Sequence, residues 1–135
     1  MLFGSEEWIK AFMDEINNSE AYAEAAVDWE GDFYFIIESG KEDGEAIYYY
    51  ADLWHGKCRE AYRVPDENAR DPAFRLSAPL ATWELIVEGK LDPIPAMMSR
   101  KLSVQGNLVK IVRSVRAAQE LVACVARVKT EFPTA

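Results

Sequence analysis

The stretch from Asp71 to Asn107, DPAFRLSAPLATWELIVEGKLDPIPAMMSRKLSVQGN, constrains the fold of this chain more than any other. Phe74, Leu76 and Ala78 alternate with Arg75 and Ser77, the period of a half-buried strand, and an apolar helix follows until Gly89 stops it. A second helix starts at once. Asp92-Pro93 puts a carboxylate at the N-cap and a proline at the first helical position, where a missing N–H and a fixed φ cost nothing. That helix is brief, because Lys101 to Gln105 alternates again with Leu102 and Val104 on one side, and Gly106-Asn107 opens the last helix. Strand, two short helices and strand thus send apolar side chains toward one volume.

A chain of 135 residues, half of them apolar, reads as one domain over residues 1–135 that buries roughly two thirds of its unfolded surface without staples. Cys58 and Cys124 lie far apart with no metal-ligand spacing, so both are expected to be reduced thiols of a cytoplasmic protein. The apolar run Leu121 to Ala126 is far short of the ~20 residues of a membrane span, and the acidic start MLFGSEEW lacks a signal-peptide core. A net charge of −8 speaks against nucleic acid as a partner. The charge is unevenly placed. Residues 1–99 carry 8 basic and 21 acidic side chains, residues 100–135 carry 7 and 2. Either the basic part docks on the acidic remainder, or Lys101, Lys110, Arg113 and Arg116 meet an anionic membrane surface in passing.

Ser5 caps a first helix with the apolar stripe Trp8, Ile9, Phe12, Met13 and Ile16, ended by Asn17-Asn18-Ser19. From Tyr22 the period is two, with Ala23, Ala25, Val27 and Trp29 opposite Tyr22, Glu24, Asp28 and Glu30, which predicts a strand. Phe33 to Ile37 predicts a central strand covered on both faces, Ser39 to Gly44 a polar hairpin loop, and Ala46 to Trp54 the next strand. His55-Gly56 turns the chain into Lys57 to Val64, where Cys58, Tyr62 and Val64 alternate with Lys57, Arg59 and Arg63. After the loop Pro65 to Asp71 and the stretch above, one helix is predicted from Asn107 to about Val128. Its second half, LVACVARV, is apolar around most of its circumference and so is sandwiched by protein or covers something apolar. The expected architecture is α+β: one antiparallel-rich sheet of about five or six short strands with helices on one face.

Catalytic equipment is thin. His55 sits in a turn, Cys124 in the most apolar helix, and Glu84 is the one acid inside the core stretch; no nucleophile stands beside a base. Glu42, Asp43 and Glu45 cluster around Gly44 but lack the regular spacing of a calcium loop, so no metal and no cofactor is expected. Apolar bulk is abundant instead, in Trp29, Trp54, Trp83, Tyr48 to Tyr50 and Met97-Met98. It fills a core, or it lines an apolar pocket.

Three segments resemble the sterol-carrier-protein family, the non-specific lipid-transfer domains. Ala46 to Val64 is similar to the family's aromatic hairpin, with Asp52-Leu53 and the Gly56-Lys57 turn. Phe74 to Asp92 resembles its strand and helix ending in Gly-Lys-Leu-Asp-Pro, here Gly89 to Pro93. Ala96 to Leu108 looks like its returning Gly-Lys-Leu-x-x-x-Gly-Asn segment, with Arg100 where the family commonly has glycine. The resemblance implies a non-catalytic domain with an apolar tunnel between sheet and helices for a fatty acid, a fatty acyl-CoA or a sterol-like lipid. Transfer and mere holding are both left open. It further implies a lining drawn from Phe35, Ile37, Phe74, Leu76, Trp83 and Ile86, together with Met97, Met98, Leu102, Val104, Leu108 and Val112. The alternative is a filled core and an interaction module, a homodimer through the Leu121 to Val128 face. An enzyme using Glu84 or His55 is the third reading.

Overall fold

The computed structural model describes residues 1–38 and 45–133, so the Ser39 to Gly44 loop, with Glu42 and Asp43, lies outside the described residues. Helix α1 (Glu6–Asn17) begins where Ser5 Oγ accepts the Trp8 N–H at 3.1 Å, and it buries Trp8, Ile9, Phe12 and Ile16, the stripe that the spacing predicts. The strand predicted from Tyr22 is a helix instead, α2 (Glu20–Ala25). Ser19 Oγ accepts the Tyr22 N–H at 3.0 Å and Glu20 opens the first turn; the alanines between, good helix formers, have no β-branched bulk to hold an extended backbone. The two faces of that strand do not form: Val27 is exposed while Trp29, placed beside it, and Tyr22, placed opposite, are both buried.

Five strands follow, β1 (Glu30–Ile37), β2 (Ile47–Trp54), β3 (Lys57–Val64), β4 (Phe74–Ala78) and β5 (Ser103–Gln105), in the sheet order β3-β2-β1-β4-β5. The continuously apolar β1 is indeed central. Its partners are antiparallel β2 and parallel β4. The hairpin β2–β3 turns at His55 (φ 50) and Gly56 (φ 79), both left-handed as a tight two-residue turn requires. Between Asp52 and Leu53 the register slips, leaving Arg59 unopposed. That bulge reverses the faces: Cys58 and Ala61 join the helix side, whereas Tyr62 and Val64 face the back, so the single alternation predicted along this strand is broken.

The back face is closed by the connection from β3 to β4, which crosses β2 and β1. The Tyr34 hydroxyl donates to the Arg70 carbonyl (2.8 Å) and accepts the Arg70 N–H (2.7 Å), and the Arg70 guanidinium lies 4.3 Å from the Tyr50 ring. Asp32 fixes the far end, its two carboxylate oxygens accepting from the Ala73 N–H (2.7 Å) and the Tyr50 hydroxyl (2.8 Å). At the outer strand β3, side chains of α1 take up backbone groups left free. Glu6 accepts from Arg63 N–H (2.7 Å), Lys10 donates to the Ala61 carbonyl (2.7 Å), and Asn17 bonds both the N–H and the carbonyl of Cys58.

On the front face, α3 (Leu80–Val87) ends as predicted at Gly89 (φ 75), where Lys90 N–H reaches the Leu85 carbonyl and Gly89 N–H the Ile86 carbonyl. Helix α4 (Pro93–Met98) carries the Asp92 cap and Pro93 at its start. Arg100 follows with φ 66, a left-handed backbone that costs a residue with a Cβ roughly 1–2 kcal/mol and glycine little. The single C-terminal helix predicted is two, α5 (Leu108–Arg113) and α6 (Val115–Ala126), broken at Ser114 (ψ 41), whose hydroxyl turns back to the Lys110 carbonyl. The helices pack on one side of a mixed sheet, the α+β arrangement expected.

Candidate functional site

Between the sheet and the helices lies an apolar cavity of about 120 Å³. Its floor is the front face of the sheet: Phe33, Phe35 and Ile37 of β1, Tyr49 and Leu53 of β2, Leu76 of β4. Trp83, Ile86 and Val87 of α3 and Met97 of α4 form one wall, Trp8 and Phe12 of α1 another. Helix α6 closes it with Ala117, Ala118, Leu121, Val122 and Val125. Among the described residues no charged side chain lines it.

Of the predicted lining, Phe35, Ile37, Leu76, Trp83, Ile86, Met97 and Leu102 stand at the cavity wall. Phe74 does not. It is buried in the core 5.0 Å from the Phe33 ring and 5.4 Å from Trp29. Val104, Leu108 and Val112 are half-buried away from the wall, and Met98 is 65% exposed. Successive residues of a helix point about 100° apart, so only one of Met97 and Met98 faces inward. The largest group of residues missed comes from α6, with Trp8 and Phe12 from α1, and the signal of both helices was in the chain. The Trp8–Phe12 stripe and the all-round apolarity of LVACVARV are what a helix lying over a cavity needs. That second run is turned inward, with Cys124, Val125 and Val128 buried, which leaves the predicted dimer face occupied by the protein's own core.

The candidate catalytic residues are elsewhere. His55 Nε2 lies 2.6 Å from Glu30 Oε2 at the open hairpin end, and Glu84 is half-buried outside the cavity wall. Lys110, a candidate for headgroup contact, is engaged within the chain: it donates to the Glu30 carbonyl and sits 4.8 Å over the Trp29 ring. A polar depression gathers Glu30, Asp32, Asp52, Arg59, Arg70 and Lys110; there Arg59 pairs with Asp52 at 2.9 Å and Arg70 donates to the Tyr62 and Tyr50 hydroxyls. Among the described residues no helix is long and apolar enough to cross a membrane.

Both thiols are free and buried. Burial, and then the charge of Asp52, pushes the Cys58 thiol up to about 12. The unfolded chain therefore gives up this proton first. The stability it contributes is full below about pH 9 and is lost as pH rises toward 12, with a limiting slope of ~1.4 kcal/mol per pH unit. Urea unfolding at pH 8, 10 and 11 is expected to show this fall, shallower in Cys58→Ala; parallel profiles for the two proteins rule it out.

The chain matches the model of the SCP-2 sterol transfer family over residues 9–118. A crystal structure of sterol carrier protein 2 superposes with a TM-score of 0.84 at 34% identity, covering 93% of this chain and 98% of that one. A conserved hypothetical protein of Thermus thermophilus, described as possibly a sterol carrier protein, superposes at 0.86 with 34% identity, covering 98% and 92%. The apo form of sterol carrier protein 2 from Yarrowia lipolytica, at 20% identity and a TM-score of 0.60 over 87% and 88% of the two chains, shares the fold. No curated protein matches. With the family's pattern running through sheet and helices alike, and solved relatives aligned over nearly the whole length, this chain belongs to the SCP-2 sterol transfer family.

Proposed function

We propose that the protein binds a lipid, a fatty acid, fatty acyl-CoA or sterol-like molecule, in the cavity between sheet and helices, without catalysing a reaction. One observation carries this reading: a cavity walled by aromatic and aliphatic side chains and free of charge, in the place where family membership leads one to look. Binding follows from removing apolar ligand surface from water, roughly 25 cal/mol per Å². At about 120 Å³ the empty space approaches that of an engineered cavity which admits benzene, and falls short of the ~300–1,000 Å³ of sites for larger ligands. A lipid therefore enters by parting the walls, and Met97, with its flexible thioether, is the side chain best suited to give way. The exposed Met98, followed in the chain by Arg100 and Lys101, suits brief contact with an anionic bilayer.

Displacement of a fluorescent fatty acid at micromolar concentration, with native mass spectrometry of the complex, tests the reading. Stoichiometric uptake and a raised melting temperature are expected, and adding anionic vesicles to the loaded protein separates transfer from holding. No uptake and an unmoved melting curve overturn it.

A further inference from the structure

The inference deepens the lipid-binding reading and rests on it. Polar atoms around the cavity are few, and nearly all are engaged. The indole N–H groups of Trp8, Trp29 and Trp83 donate to Thr130 Oγ1, the Gly31 carbonyl and the Ile36 carbonyl at 2.9, 3.0 and 2.8 Å. The Tyr49 hydroxyl donates to the Ser5 carbonyl at 2.7 Å, and the Ser114 hydroxyl to the Lys110 carbonyl at 3.0 Å.

Tyr22 is different. Its residue is only 2% exposed, its backbone N–H is taken by Ser19, and its hydroxyl has no hydrogen-bond partner among the described residues. Every side-chain nitrogen or oxygen that is sealed off there does have a partner. The Tyr22 hydroxyl is therefore not sealed off, and Tyr22 is one of the residues that line the cavity. Burial, with the Cys58 and Cys124 thiols nearby, drives its ionisation well above the ordinary tyrosine range, so it stays a neutral donor and acceptor.

We propose that the Tyr22 hydroxyl is the polar anchor of the cavity and favours lipids whose buried part carries one uncharged oxygen, a hydroxyl or a carbonyl. A hydrocarbon leaves the phenol unpaired. An ionised carboxylate at the same depth meets no lining cation, so its desolvation goes uncompensated and such a headgroup stays outside.

The test compares 1-dodecanol, 2-dodecanone and dodecane, matched in carbon number, on the wild-type protein and Tyr22→Phe, which keeps the ring. Removing the hydroxyl is expected to weaken the alcohol and the ketone about fivefold to tenfold and to leave the alkane within about twofold. In the wild type, the carbonyl stretch of bound ¹³C-labelled ketone is expected below its position in an alkane solvent, and in Tyr22→Phe at that position. Equal losses for all three ligands, unchanged affinities, or an unshifted carbonyl overturn the anchor while leaving the carrier reading intact. If the wild type takes up neither these three nor the fluorescent fatty acid, the carrier reading itself falls and the anchor with it; uptake of the fatty acid alone overturns only the anchor.

Discussion

Lipid uptake is expected to disappear in Ala117→Phe while the protein stays folded. Ala117 is buried on α6 at the cavity wall, and a phenyl ring added there enters a space not much smaller than one that admits benzene. A lipid kept from burying even ~110 Å² of its surface loses about 2.7 kcal/mol at ~25 cal/mol per Å², near 100-fold in affinity. The folded protein gains what the guest loses, since filling a void restores contacts that its walls lack. A melting temperature equal to or above that of the wild type, with fatty-acid affinity at least ~100-fold weaker, is the expected pair of results. Undiminished uptake would put the ligand elsewhere. A drop of ~1–3 kcal/mol in stability would mean that the ring is overpacked rather than accommodated.

The largest expected loss of stability belongs to Trp8→Ala. Trp8 is buried with its ring edge-on to Phe3 at 4.8 Å, tilted on Phe12 at 5.4 Å and stacked beside Tyr49 at 5.6 Å. Its indole N–H donates to Thr130 Oγ1, fastening the segment after α6. Removing it costs ~3–5 kcal/mol by the measure of other buried tryptophans, because Phe12 and Tyr49 beside it have backbones fixed by α1 and β2 and cannot close the gap. Urea unfolding followed by far-UV circular dichroism reads this directly. A loss under ~1 kcal/mol would mean that the site collapses freely and that the aromatic cluster contributes little.

Where the chain states a local rule without competition, sequence and structure agree. The Gly89 stop, the Asp92-Pro93 start and the alternation of Phe74, Leu76 and Ala78 each depend on backbone chemistry within a few residues, and each is found. Tyr22 to Glu30 misleads because alanines alternating with polar residues satisfy a strand period and a helix propensity at once; the Ser19 cap decides, and a cap is easily passed over when the preceding residues are read as an end. The bulge at Asp52 and Leu53 leaves no mark in composition, yet it moves Tyr62 and Val64 to the opposite face from Cys58. For the cavity, Phe35, Ile37 and Leu76 of the floor and Trp83 and Ile86 of α3 were legible from alternation and resemblance, whereas Phe33, Tyr49 and Leu53 were not. The apolar faces of α1 and α6 were legible too, but not that they meet over this floor, since that depends on packing between the two ends of the chain.

The way α1 fastens β3 has a consequence for behaviour at high concentration. An unpaired strand is a template on which another molecule can build, and repeated addition is how sheets grow into fibres. Here Glu6, Lys10 and Asn17 occupy the bonds that such a newcomer would need, and the opposite margin, β5, is only three residues long. Neither margin offers a run of free backbone long enough to seed growth, so the protein guards against fibrillation even while it keeps an unfilled, oily interior.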